Sequence, residues 1–340
     1  MKQTEPSLKE WKALYDAAAR FRKLEPWKFM KETDIFGVLD PHTGETGYCC
    51  IMGELGELLA IAVYNGTEGL QSYQKIQKGL IQPGDPEVIY MQSCLMLTFE
   101  NRQSVQEEDR EIIKELGLRF RGKNAWPVFR SYRPGYFPWF LDRAEVLFMT
   151  IALEQATDVC LRILQGDPID FSPKRNRFFV RKAEEKNGAF SWSDAWMEPS
   201  PPREKARSVK APLDEIRIQR LKKTAEPVTA VWEADFFHIP TPVLQGERPV
   251  FPYAIIIMDH DTGSILDLHI AGGKDYEKEF VERLLSYIEQ TSSLPLEILV
   301  RKEEVAEVFE QCTAHLNIKL SKVRRLLNIE HAQRDLEENL

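Results

Sequence analysis

The 340-residue sequence has no apolar run approaching the roughly 18 residues a membrane span requires. Its longest candidate, PWFLDRAEVLFMTIALEQATDVCLRIL, carries Asp142, Arg143, Glu145, Glu154, Asp158 and Arg162, and reads as a buried helix. The opening MKQTEPSLKEWKALYDAAARF lacks an apolar signal core and a cleavage site. The five cysteines (49, 50, 94, 160, 312) are odd in number and form no CxxC pair, so neither a disulfide framework nor a zinc site is expected. Cys49 and Cys50 are neighbours in an expected strand and point to opposite faces. Free thiols in a reducing cytoplasm follow as the expectation. No Gly-rich loop has phosphate-binding spacing; Gly272-Gly273 is a lone pair. No serine or cysteine stands in a nucleophile-elbow context, and no cofactor is indicated.

Charge of one sign is also short. The net charge is −8, which argues against simple binding to nucleic acid or anionic lipid. The balance is uneven: residues 174–223 hold 14 Lys or Arg against seven Asp or Glu, and the remainder carries −15. Intramolecular neutralisation of the acidic parts by this basic stretch is the expected role.

With 43% hydrophobic residues, the chain can bury two cores of ordinary size. Ser7 and Glu10 form a capping box ahead of Leu8, Trp11, Tyr15, Ala18 and Phe21 at helical spacing. Three strand-like runs follow, DIFGVLD, GYCCIMG and LLAIAVY. Then come a helix (TEGLQSYQKIQKGL), a strand (VIYMQSCLMLTFE), a helix (QEEDREIIKELG), a strand (WPVFRSY) and a long helix from Pro138. Residues 165–223 read as a basic connector, with a possible hairpin turning at Asn187-Gly188. The second half repeats the order: VWEADFFHI, YAIIIMD and SILDLHI as strands, then helix, PLEILV, EEVAEVFEQCTAHL as helix, and IKLSKV. The expected domains are 1–164, 165–223 and 224–340.

Landmarks recur at near-constant offsets. Glu25-Pro26 matches Glu226-Pro227, and Asp34 with Phe36 matches Asp235 with Phe237, both 201 apart. Ile51-Met52 and Gly66 match Ile257-Met258 and Gly272 at 206. An Asp-x-x-Thr-Gly turn at 40–44 and 259–263 favours a different local alignment. The repeated element order points to a tandem duplication of mixed α/β halves.

Three meandering strands followed by α-β-α-β resembles the ribonuclease-H-like fold of ribonuclease H, retroviral-type integrases and transposases. The chain also resembles an uncharacterised bacterial two-domain family whose halves are domains of unknown function. That resemblance rests on EWKALYDAAARFRKLEPW, GYCCIMGELGE and AIAVYNGTEGLQSYQKI, and on PLEILVRKEEVAEVFEQCTAHLNIKL. It implies no known activity. The ribonuclease-H-like resemblance implies clustered carboxylates that hold two magnesium ions about 3.5–4 Å apart. In the first half the matching positions are Asp34, Glu100 and Asp142 or Glu145. In the second, Asp235 fits the first position, but Arg301-Lys302 stand where an acid is needed. Glu303 comes two residues late, and Glu330 or Asp335 lie in the terminal EHAQRDLEENL, with little helix expected to hold them.

Asp235 and His238, with Asp259-His-Asp261, invite a metal-site reading, but strand residues three apart face opposite sides. Glu233 and Asp235 do share a face. In RSYRPGYFPWF, Arg130 and Arg133 alternate with Tyr132, Tyr136 and Trp139 ahead of the long helix. They form a candidate anion-binding or base-stacking site, set against a scaffold loop whose arginines are paired to acids. The basic connector, with Phe178, Phe179, Trp192 and Trp196, offers a possible single-strand surface. The expected function is non-catalytic, binding a protein or a small anionic ligand from two degenerate ribonuclease-H-like halves. The alternatives are a metal-dependent nuclease using Asp34, Glu100 and Asp142, and a nucleic-acid adaptor acting through the connector.

Overall fold

Alternation along the strands builds two layered units. In GYCCIM, Cys49 and Ile51 enter one core while Tyr48 and Cys50 enter another, as a two-residue side-chain period demands. The computed structural model describes residues 5–81, 85–186, 189–201, 214–271 and 276–339. The chain divides into two compact units, Met1–Pro134 with Pro138–Arg203 and Gly135–Phe137 with Glu204–Leu340.

The first unit opens with α1 (Leu8–Lys23), capped by the reciprocal Ser7–Glu10 box. It continues through β1 (Phe36–Leu39), β2 (Thr46–Met52), β3 (Ala60–Asn65), α2 (Gly66–Gln77), α3 (Pro86–Met91) and β4 (Cys94–Glu100). Then follow α4 (Glu107–Glu115), β5 (Trp126–Tyr132), α5 (Arg143–Leu164), β6 (Phe178–Lys186) and β7 (Ala189–Met197). The expected strand VIYMQSCLMLTFE is split: Asp85 accepts from the Glu87 amide at 2.9 Å and Pro86 starts α3, so VIYM is helical. The sheet runs β5-β4-β3-β2-β1-β6-β7. Every neighbouring pair is antiparallel except β1 with β6, which is parallel. One face, with Phe36, Cys49, Ile61 and Leu97, shares a core with α1 and α5 residues such as Leu14, Phe21, Met149 and Ala156. The other face meets Leu70 and Tyr73 of α2.

The second unit comprises α6 (Glu215–Thr224), β8 (Glu226–His238), the hairpin β9 (Val243–Gln245) and β10 (Arg248–Val250), β11 (Tyr253–Asp259) and β12 (Ile265–Ala271). It ends with α7 (Tyr276–Thr291), β13 (Ser293–Val300), α8 (Glu303–Leu316), β14 (Lys319–Lys322) and α9 (Leu327–Asn339). Its main sheet runs β12-β11-β8-β13-β14, antiparallel across β12, β11 and β8 and parallel across β8, β13 and β14. This is the ribonuclease-H-like order, with the fourth strand beside the first. Trp232, Ala234 and Phe236 of β8 enter the core shared with α7 and α8, while Phe237 enters the one shared with α9.

Mixed α/β architecture thus holds for both units, in tandem. The expected strand-for-strand equivalence of the two halves does not hold. In the first unit β4 pairs with β3, and the free edge of β1 is taken by β6. Asp34 lies in the turn before β1, held by its contact with the Lys31 amide, whereas Asp235 is deep within β8. The Asp-x-x-Thr-Gly turns have the same hydrogen bonds but join β1 to β2 in one unit and β11 to β12 in the other. They are local hairpin chemistry.

The connector, expected as a separate segment, is divided between the units. Its Phe178–Met197 stretch forms β6 and β7 of the first sheet, because Phe178 and Val180 complete one core and Phe179 the other. The expected Asn187-Gly188 turn and Gly272-Gly273 lie outside the described residues. Helix α6, capped by Asp214, inserts Ile218 and Leu221 into the second core. Among the connector cations, Lys174, Arg177, Arg181, Arg217 and Arg220 are paired with carboxylates of their own unit. Among the described residues, no helix is long and apolar enough to cross a membrane.

Candidate functional site

The candidate site lies in the second unit, on the α9 side of β8. Glu233 and Asp235 are two residues apart and therefore project to the same face. Both are buried, at 1% and 0% exposure, in a strand otherwise apolar at its centre. Two carboxylates cannot be held there without compensation. Asp235 Oδ1 accepts from the Phe236 amide at 2.8 Å, and Lys302 Nζ lies 3.3 Å from the same oxygen. Arg301 Nη2 donates to Oδ2 at 3.0 Å. Lys302 also donates to the Phe236 carbonyl and lies 4.5 Å from the Phe236 ring centroid.

The parallel pairing of β13 beside β8 places Arg301-Lys302 at Asp235, because both follow directly on Val300, where β13 ends. Glu330, on α9, comes within 3.8 Å of Arg301 and is gripped by Arg325. The Arg325 guanidinium, with help from Arg301, holds the Glu330 carboxyl below the usual glutamate range. Glu233 is satisfied from other directions. His260 Nδ1 lies 2.7 Å from its Oε1, Asn328 Nδ2 donates to that oxygen at 3.0 Å, and the Ile329 amide donates to Oε2 at 3.4 Å. A buried carboxylate at the first turn of α9 is favoured by the helix dipole. Arg301, Lys302 and Arg325 thus surround Asp235 and Glu330, while Glu233 is held by His260, Asn328 and the Ile329 amide.

A two-metal centre needs several carboxylate oxygens free to face the ions. Asp235 has both oxygens engaged by protein donors, and the end of β13 supplies two cations in place of an acid. These residues do not fit a magnesium pair. Among the described residues, no three His, Cys, Asp or Glu side chains gather as a metal-binding group.

Residues 11–181 match the family model described as Domain of unknown function (DUF7309). The chain belongs to that family. Residues 217–337 match a second model, Domain of unknown function (DUF6930), which covers the site just described. The first match runs into β6, and the second begins within α6. No curated protein matches the chain. Among solved structures, the HTLV-2 integrase catalytic core domain in complex with magnesium is similar in its trimeric form at 18% identity. That match covers 32% of this chain and 68% of that one, with a TM-score of 0.24. The dimeric form gives 17% identity, 31% and 66% coverage, and a TM-score of 0.24. The magnesium is a property of those structures.

The nuclease candidates of the first unit are not brought together. Asp34 precedes β1 while Glu100 ends β4, three strand spacings away, or roughly 14 Å. Asp142 lies at the opposite end of the sheet. Its box partner Glu145 accepts from Ser131 near the Cys94 end of β4, six residues or roughly 20 Å from Glu100.

The two arginines of the anion-site candidate are paired with carboxylates. Arg130 makes a two-pronged pair with Asp109, at 3.0 and 2.7 Å, under the Phe140 ring. Arg133 is held by Asp142 at 2.9 Å and Glu145 at 2.7 Å. The helix does not begin at Pro138: α5 starts after Asp142, whose capping box with Glu145 takes up the Glu145 and Asp142 amides. Tyr132 is half-buried, its hydroxyl pushed up to about 12 by burial. Trp139 is tied to Ser131 through two backbone bonds, and Tyr136 belongs to the second unit.

Sequence reasoning placed Arg301 and Lys302 as obstacles to a metal but missed that they are the partners Asp235 requires. It also expected too little helix to hold Glu330, which α9 supplies. The His260–Glu233–Asn328 contacts went unseen. Their one available signal was an acid pair, Glu-Ala-Asp, inside an apolar strand.

Proposed function

We propose that the chain is a non-catalytic binding protein whose second unit keeps the ribonuclease-H-like frame with its acid site closed by internal cations. The engagement of both Asp235 oxygens by Arg301, Lys302 and the Phe236 amide carries this reading. Fixed cations at this position repel a divalent ion and satisfy the carboxylate that would bind it. The separation of Asp34, Glu100 and Asp142 weighs against the nuclease alternative. The pairing of Lys174, Arg177, Arg181, Arg217 and Arg220 with carboxylates weighs against the adaptor alternative. Five buried free thiols support a reducing, cytoplasmic setting.

The test is manganese titration of the full chain by calorimetry, together with manganese-dependent cleavage assays on single-stranded, duplex and hybrid substrates. No saturable site at Asp235 and no cleavage are expected. Cleavage that disappears in Glu330→Gln, a change near the surface that spares the core, would sink the reading.

A further inference from the structure

A second feature lies in the first unit, where β4 ends and β5 begins. Helix α4 stops at Glu115, and Gly117 adopts a positive φ of 66°. The chain then turns through Leu118–Gly122 before entering β5. This turn and Arg102 surround an open cleft of about 480 Å³, lined by Arg102, Arg119, Arg121, Phe120, Trp126 and Leu118. Among the described residues, no carboxylate lines it. Among the described residues, none of the three guanidinium groups has a hydrogen-bond or ion-pair partner.

That is unusual for this chain. With acids in excess by eight, Arg130, Arg133, Arg143, Arg162, Arg181, Arg217 and Arg301 all find carboxylates. Three unpaired guanidinium groups around one concavity leave the counter-charge to come from outside. Guanidinium forks suit phosphate oxygens, which accept two parallel N–H bonds. The aromatic part of the cleft is pre-set. Phe120 stacks on Tyr15 (6.1 Å, 27°) and meets Trp126 at 5.8 Å and 60°, so the indole is braced from within the core. A half-buried Trp beside arginines offers a flat apolar surface next to positive charge.

We propose that this cleft binds a nucleoside phosphate, with its phosphates on Arg102, Arg119 and Arg121 and its base against Trp126. Its volume falls within the roughly 300–1,000 Å³ of small-ligand pockets. The −8 net charge disfavours an extended polyanion, which must run past acidic surface. The proposal gives the binding-protein reading a ligand class. Its failure is distinguishable, since metal titration probes Asp235 and nucleotide titration probes this cleft.

The experiment is calorimetric titration of the full chain with ATP, inorganic tripolyphosphate and a mixed-sequence single-stranded oligonucleotide at low and high salt. ATP should bind most tightly, about tenfold or more above tripolyphosphate, because base stacking adds to the phosphate contacts. Salt should weaken the binding. The double change Arg119→Gln, Arg121→Gln should lower ATP affinity about tenfold or more through lost charge-assisted bonds. Both positions are exposed, so the melting temperature should not move. Trp126→Leu should lower ATP affinity about fivefold or more while leaving tripolyphosphate unchanged. Arg324→Gln, on the other unit, should change nothing. Absent ATP binding, binding indifferent to the double change, tripolyphosphate as tight as ATP, or an oligonucleotide tighter than ATP would each overturn the proposal.

Discussion

Replacing the cations around Asp235 tests the internal closure most directly. Asp235 is fully buried, whereas the Arg301 and Lys302 side chains are 32% and 27% exposed. The cost therefore arises at the carboxylate, which cannot reach water when its partners leave. Arg301→Met removes the 3.0 Å bond to Oδ2 but leaves Lys302 at 3.3 Å, so about 2 kcal/mol is expected. Lys302→Met leaves Arg301 in place and should cost about 1–2 kcal/mol. The double change strands a bare charge and should cost about 3–5 kcal/mol, at or above the sum of the singles. Adding Asp235→Leu to the double variant removes that charge and should recover most of the loss, because apolar replacement of a whole buried ion cluster is often neutral. Hydrogen exchange of peptides from β8 and β13 reads these changes locally, independent of how the first unit unfolds. A double variant costing under about 1 kcal/mol, or a triple variant no more stable than the double, would refute the reasoning.

Burial lowers the His238 imidazole from its ordinary 6.5 to about 4, with nearby Lys302 adding to the effect. Because the folded value is depressed, its contribution is complete above pH 6.5 and falls away towards pH 4, by at most about 3 kcal/mol. Urea midpoints of wild type and His238→Phe across that range should show the loss only in wild type, and equal slopes would exclude it. Gly69→Ala should destabilise the first unit by about 2 kcal/mol or more, since its Cβ would stand 2.5 Å from the Ser93 carbonyl oxygen. A melting temperature unchanged by that substitution contradicts the close approach of α2 to the Tyr64 and Ser93 backbone. All five cysteines are buried, and burial raises the thiol pKa of each, Cys160 and Cys312 to about 12. An aromatic disulfide reagent should label none rapidly in the native protein and all five in denaturant; fast native labelling of two or more would show an open core.

Where structure is local, the sequence alone was enough. WPVFRSY coincides with β5, EEVAEVFEQCTAHL with α8, and the Ser7–Glu10 box starts α1, because periodicity and capping act within a few residues. VIYM was legible too, through Asp85-Pro86, a helix start that the strand reading of VIYMQSCLMLTFE passed over. Chemistry that conflicts with a metal was also visible, as Arg301-Lys302 following an apolar strand. Strand order was not. The fourth strand of each half is an apolar run that could pair with either free edge, and nothing within it selects one. In the first unit the distant β6 takes the free edge of β1, leaving β4 on β3; in the second β13 lies against β8. The site follows from that choice. Arg301 reaches Asp235 across 66 positions, Asn328 reaches Glu233 across 95, and His260 across 27. Only tertiary structure brings them together, since a buried carboxylate requires a partner but does not specify where in the chain that partner lies.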